Sequence, residues 1–218
     1  MKTEQELARA QQDRWQRAYD EDPRLHGPEP SEAARWTVRL FGAAGIDDVL
    51  ELGAGHGRDA LYLARQGFSV HATDFSESAL HQLRLDAQRD GLDDRVTAAL
   101  HDVRDPLPPA DATVNAVYAN LLLNMAFSRT ELRKLMNEVR RVLRPGGLFV
   151  YTVWSTEDPY FGRCPEVGDG LYTRDGFAGR FFDRELIGEL ADQWELGGAD
   201  PYDEGPRKLW RVTQAKPA

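Results

Sequence analysis

Three glycines at alternate positions, Gly53, Gly55 and Gly57, break the passage from a strand to a helix, and no other stretch constrains the fold as much. Val49-Leu50-Glu51-Leu52 before them is apolar and of strand type, and a helical pattern starts at Arg58. Without Cβ atoms the turn can lie against a ligand and take positive φ. The helix that follows points its unpaired N–H groups back at the turn. A strand, glycine loop and helix at the carboxyl end of a parallel strand is where doubly wound sheets bind nucleoside cofactors.

Strand and helix patterns alternate from this point. After a helix over Ala60, Leu61 and Ala64, closed by Gly67, a strand at 68–73 ends at Asp74. Ser76 caps a helix carrying Leu80, Leu83 and Ala87. Strands follow at 96–100, with Asp102 just past it, and at 114–119. Ser128 and Glu131 form a capping box for a helix bearing Leu132, Leu135, Met136, Val139 and Leu143. Pro145-Gly146-Gly147 stops that helix, and 148–154 reads as a strand buried on both faces. Upstream, 3–20 is a helix with a narrow seam of Leu7, Gln11, Trp15 and Ala18, expected to pack peripherally or to lay Trp15 or Tyr19 over a pocket. A link from Asp22-Pro23 to Pro30 leads to a helix capped by Ser31. Residues 155–182, rich in glycine and aromatics, read as an ordered flap facing the ligand. A helix at 183–194 and an antiparallel strand pair near 195–200 and 208–214 close the chain. One domain is expected, with a cap at 1–45, a cofactor half at 46–154, and a flap with terminal strands at 155–218.

A net charge of 27 − 36 = −9 speaks against nucleic acid or anionic membrane as a partner. The single cysteine, Cys164, suits a reducing cytoplasm, and no apolar run approaches a membrane span. His26, His56, His71, His81 and His101 show no metal-ligand spacing, so no metal is expected.

Glu51-x-Gly53-x-Gly55-x-Gly57, with Asp74 ending the next strand, resembles the class I S-adenosylmethionine (SAM) methyltransferases. The likeness runs from about Val49 to Trp154. It includes Asp102, Asn120 and Leu143-Arg144-Pro145-Gly146-Gly147. Gly57-Arg58-Asp59-Ala60-Leu61-Tyr62-Leu63-Ala64 and Gly67-Phe68-Ser69-Val70 are similar to the small-molecule enzymes around the tellurite-resistance and thiopurine methyltransferases. The resemblance implies a Rossmann-like, doubly wound α/β sheet of seven strands in the order 3-2-1-4-5-7-6. Its last strand would be antiparallel, with an N-terminal helical cap. It also implies SAM as cofactor, methyl transfer to a small-molecule acceptor by in-line displacement, and a monomer or homodimer.

By the same resemblance Gly53, Ala54, Gly55 and Gly57 lie against the methionine part. Asp74 accepts from the ribose hydroxyls, and Phe75 covers the adenine face. Asp102 and Val103 read the adenine edge, Asn120 and Leu121 sit beside the sulfonium, and Arg58 and Ser76 complete the cofactor set. Substrate positioning is assigned to Tyr19, Tyr172 and Arg180, with Trp15, Tyr160 and Arg163 as further candidates. An NAD-dependent oxidoreductase is the alternative enzyme, although it prefers G-x-G-x-x-G spacing. A catalytically silent SAM-binding regulator is the alternative non-enzyme.

Overall fold

The computed structural model describes residues 3–22, 24–174 and 177–218. Pro23 of the link and Gly176 of the flap lie outside the described residues. In chain order the elements are α1 (Glu4–Glu21), α2 (Glu32–Ala43), β1 (Asp48–Leu52), α3 (Arg58–Arg65), β2 (Ser69–Asp74), α4 (Glu77–Arg89), β3 (Val96–Leu100), β4 (Val114–Asn120), α5 (Arg129–Val142) and β5 (Leu143–Trp154). Then follow β6 (Glu166–Gly168), β7 (Leu171–Arg174), β8 (Phe177–Arg180), α6 (Arg184–Leu190), β9 (Glu195–Glu204) and β10 (Arg207–Ala215).

Seven strands form one sheet in the order β3-β2-β1-β4-β5-β10-β9. The first five are parallel, and β10 runs antiparallel to both β5 and β9. This is the Rossmann-like α/β topology that the resemblance implies, with three small strands inserted before the last pair. Strand alternation divides the core in two. Leu50, Val117 and Tyr151 join α5 and α6 on one face, while Val49, Ala116 and Val150 join α2, α3 and α4 on the other. Burial on both faces explains why β1, β4 and β5 read as near-continuous apolar runs.

Local signals set the ends. Ser31, Ser76, Ser128 and Asp183 each accept a hydrogen bond from a backbone N–H in the first turn of α2, α4, α5 and α6. Thr3 and Glu6 close a capping box on α1, as Ser128 and Glu131 do on α5. Helix α5 stops at Val142, before the Pro-Gly-Gly expected to end it, because Leu143 already pairs with Val114 as the start of β5.

The 155–182 segment differs from its reading as a ligand-facing loop. It contains a three-stranded antiparallel sheet, β6-β7-β8. Its aromatic rings pack on one another: Phe161, Tyr172 and Phe181 lie 5.4–5.6 Å apart, centroid to centroid. Trp154 adds a face at 5.5 Å from Phe181. The rings bury each other's apolar area, so this segment carries a small core of its own.

Candidate active site

The glycine loop forms the floor of a cavity of about 310 Å³ at the carboxyl ends of the parallel strands. Gly53 and Ala54 both donate to the Thr73 carbonyl, at 2.8 and 3.0 Å, which ties the loop to β2. Asp74 finishes the clamp. Its Oδ2 accepts from Gly55 N at 2.8 Å and its Oδ1 from Ser76 N at 2.9 Å. Gly53 and Ala54 face the cavity, whereas the other two glycines serve packing. A Cβ at Gly57 (φ 84°) would stand 2.1 Å from Leu83 Cδ1, and one at Gly55 (φ 55°) 2.6 Å from the Tyr19 hydroxyl. The loop is bare so that α4 and α1 can press on it, as well as to admit a ligand.

Four carboxylates, Glu51, Asp59, Asp74 and Asp102, line the cavity. Glu51 is buried, and its Oε2 has no hydrogen-bond partner. Burial pushes its pKa well above the usual range, and Asp59 and Asp74 push the same way. Burial also raises Asp74, against the N–H groups of Ser76, Gly55 and Phe75 that favour its charged form. Asp59 gathers donors from the α2 cap and from β4: Ser31 N at 2.8 Å, Ser31 Oγ at 2.7 Å, Tyr118 Oη at 3.1 Å and Asn120 Nδ2 at 3.1 Å. Asn120 Oδ1 accepts from the Thr152 hydroxyl, so its amide orientation is fixed from both sides. Leu121 follows with φ 54°, held by its N–H on Thr152 Oγ1 at 3.0 Å.

Helix α1 roofs the cavity with Gln11, Gln12, Trp15 and Tyr19. Gln11 Oε1 accepts from Ala126 N at 2.7 Å, and its Nε2 donates to Ala178 O at 2.5 Å. Gln12 donates to Asp102, and Gln16 to Ser78 Oγ at 2.8 Å. Trp15 stacks on Tyr19 at 5.6 Å, and Tyr19 meets the edges of His26 and His56. Burial, aided by Asp74, raises the Tyr19 hydroxyl's pKa, so it stays a donor. Burial and Arg58 lower both histidines, His26 to about 4, so both are neutral at pH 7. The far wall is Leu122, Met125, Phe127, Trp154 and Arg207.

Of the residues singled out in the sequence, Trp15, Tyr19, Gly53, Ala54, Arg58, Asp74, Phe75, Asp102, Val103, Asn120 and Leu121 meet at this cavity. Ser76 instead caps α4. Among the described residues, none between 155 and 182 lines the cavity. Tyr172 sits in the flap's ring cluster. Arg180 is 1 % exposed and turns its guanidinium to Asp169 Oδ2 (2.9 Å) and the Phe127 carbonyl (3.0 Å). Tyr160 and Arg163 are also off the wall. The sequence reading missed Gln11, Gln12, His26, Phe127, Trp154 and Arg207. Gln11 left one signal: a polar side chain in an otherwise apolar helix seam. No group of three or more histidine, cysteine or acidic side chains among the described residues is arranged to hold a metal.

Residues 49–147 match the methyltransferase domain family. An uncharacterized methyltransferase of Mycobacterium bovis is 33% identical over 147 residues, which is 67% of this chain and 54% of that protein. The chain thus spans about half the length of the curated relatives it matches. In fold it is similar to the 1,6-didemethyltoxoflavin N1-methyltransferase of Burkholderia thailandensis, solved with 1,6-didemethyltoxoflavin and S-adenosylhomocysteine bound. There the TM-score is 0.78 at 21% identity, covering 100% of this chain and 92% of the other. TehB from Haemophilus influenzae gives 0.63 at 18% identity, with 84% and 62% covered. Residues 49–147 thus carry a likeness to the methyltransferase domain family, and the fold is one shared with SAM-dependent methyltransferases, whose cofactor is S-adenosylmethionine. The cavity suits that molecule. Its floor is bare backbone, and Glu51 offers a buried carboxylate oxygen with no protein partner to a cationic ligand.

Proposed function

We propose that this chain binds SAM in the cavity and moves its methyl group to a small-molecule acceptor by in-line displacement. The observation that carries the reading is the set of four carboxylates around a bare glycine loop. A vicinal diol and two cationic centres are the groups such a wall would hold, because each carboxylate accepts without donating. Asp74 takes the ribose hydroxyls while its bonds to Gly55 and Ser76 keep it in place. Asp102 and Val103 take the adenine edge, and Phe75 its face. Glu51 faces the methionine ammonium, and Tyr19, above Gly55, donates to the methionine end.

When bound, SAM supplies an electrophilic methyl on a positively charged sulfur. The protein's work is alignment and exclusion of water. Asn120 is locked between Asp59 and Thr152, and Leu121 is bent back beside it, so the β4 tip presents a fixed surface to the reacting atoms. Helix α1 keeps solvent out. No step requires a serine, cysteine or metal nucleophile.

Calorimetry with S-adenosylhomocysteine tests the first half. Wild type is expected to bind with one-to-one stoichiometry and Asp74→Ala to bind far more weakly; equal affinity would end the proposal. Mass-spectrometric detection of methylated products across an acceptor panel tests the second half.

A further inference from the structure

The two walls of the cavity differ in charge, and the difference bears on the acceptor. Carboxylates crowd the wall assigned above to the cofactor. The far side carries Leu122, Met125, Phe127, Trp154 and two guanidinium groups, with Trp15 of the roof above; Arg104, over the Phe127 ring, is taken up by Asp102, Glu131 and the Ala126 carbonyl, which leaves Arg207. That cation is built in. Its Nε donates to Asp158 Oδ2 at 2.7 Å, and the Asp158 side chain is fully buried. The same carboxylate accepts from Lys208 N at 3.0 Å and Tyr160 N at 2.9 Å, so it cannot swing away. The guanidinium lies 4.6 Å from the Trp154 ring centroid and 5.2 Å from that of Tyr160. Stacking and one ion pair therefore fix its plane, and its two Nη groups have no hydrogen-bond partner among the described residues. A guanidinium pre-set in this way suits a planar anionic group, which it can bind with two parallel N–H bonds.

We infer that the methyl acceptor is a flat aromatic acid, its ring against Trp154 and Trp15 and its anionic oxygens on Arg207. Phe177, outside the cavity lining, packs on both indoles, 6.0 Å from Trp15 and 5.8 Å from Trp154, and so braces the two rings from behind. No side chain among Leu122, Met125, Phe127, Trp154 and Arg207 can accept a proton; His26, 5.9 Å from Trp15, packs on His56 of the glycine loop, and His101 follows β3. An acceptor that arrives ionised needs no base. A lone pair of its anionic atom forms the bond to the methyl carbon as the carbon–sulfur bond breaks, the electron pair of that bond stays on sulfur, and no proton moves. The acceptor goes from negative to neutral and the sulfur from positive to neutral. The neutral product then loses its hold on Arg207, which favours release.

This inference rests on the methyltransferase reading, and one set of titrations separates the two. Wild type saturated with S-adenosylhomocysteine is titrated with benzoate, salicylate and nicotinate, then with benzamide, benzylamine and cyclohexanecarboxylate, following quenching of tryptophan fluorescence. The aromatic acids are expected to bind at least tenfold tighter than the neutral amide and the amine, and tighter than the saturated acid. Arg207→Gln should remove the preference for anions, and Arg207→Lys should keep part of it, with S-adenosylhomocysteine affinity within threefold of wild type in both as proof of folding. Equal binding of benzamide and benzoate, binding of none of the aromatic acids, or an unchanged preference in Arg207→Gln would overturn the inference and leave the methyltransferase reading standing. Failure of wild type to bind S-adenosylhomocysteine would overturn the reading itself.

Discussion

The strand-tip wall and the roof of the cavity are built by opposite strategies. The strand tips place Glu51, Asp74, Asp102 and Asn120 within one short distance of their own strands, so topology alone brings them together. The roof comes from one end of the chain, Gln11 to Tyr19 on α1, and the far wall joins the 122–127 loop and Trp154 to Arg207 on β10 near the other end. The first wall is fixed by backbone hydrogen bonds to a central sheet. The second is fixed by side chains reaching over it. The tips are therefore held by the sheet itself, and the roof by contacts made far from it in sequence.

Asp74→Ala strikes the rigid wall hardest. Losing charge-assisted bonds of about 1.5–3 kcal/mol each predicts a drop of about 100-fold or more in S-adenosylhomocysteine affinity by calorimetry. If Trp15→Ala matched that loss, the division between walls would break. Gly57→Ala tests whether the loop's bareness serves packing. A Cβ 2.1 Å from Leu83, at φ 84°, should cost about 2–4 kcal/mol in chemical denaturation. Gly67→Ala, strained at φ 100° but with nothing within 4 Å, should cost only about 1–2 kcal/mol. Arg180→Ala sharpens the contrast from outside the cavity. It should destabilise the protein by about 2 kcal/mol through Asp169 and Phe127 and leave S-adenosylhomocysteine affinity within twofold.

Two smaller effects depend on pH. Glu51 has a folded pKa well above its ordinary 4.5, so the folded state holds a proton that the unfolded state has released. Stability from this group therefore falls as pH rises above 4.5, and the loss persists above the folded value. Glu51→Gln should melt higher than wild type at pH 8, with the gap closing toward pH 4.5, while binding S-adenosylhomocysteine more weakly. His26 has the opposite sense. Its folded pKa of about 4 lies below its ordinary 6.5, so the unfolded state takes up the proton first and stability falls as pH drops from 6.5 toward 4. His26→Gln should flatten that part of a stability–pH curve by about 1 kcal/mol or more; an unchanged curve would place the acid sensitivity elsewhere.

How much of this was legible follows the same division. The strand–helix alternation, caps and acidic tips were readable because each is a local pattern, such as a serine before a helix or a carboxylate after a strand; strand order came only with the family resemblance. Arg207 was not, because its role depends on β10 returning beside β5 and on a buried Asp158 some fifty residues earlier. Arg180 and Tyr172 looked functional for a similar reason. Aromatic and cationic residues in a glycine-rich stretch resemble a binding loop until β6, β7 and β8 pair and the rings find one another. Gln11 stood in view, yet a single amide in a seam does not say whether it meets a ligand or a neighbouring backbone.

The roof is fastened to the body by glutamine amides: Gln11 to two backbone groups, Gln12 to Asp102 and Gln16 to a serine. Amides do not titrate and carry no net charge for dissolved ions to shield. These three contacts should therefore weaken less as salt is added than ion pairs in the same places would, because there is no pair of opposite charges to screen.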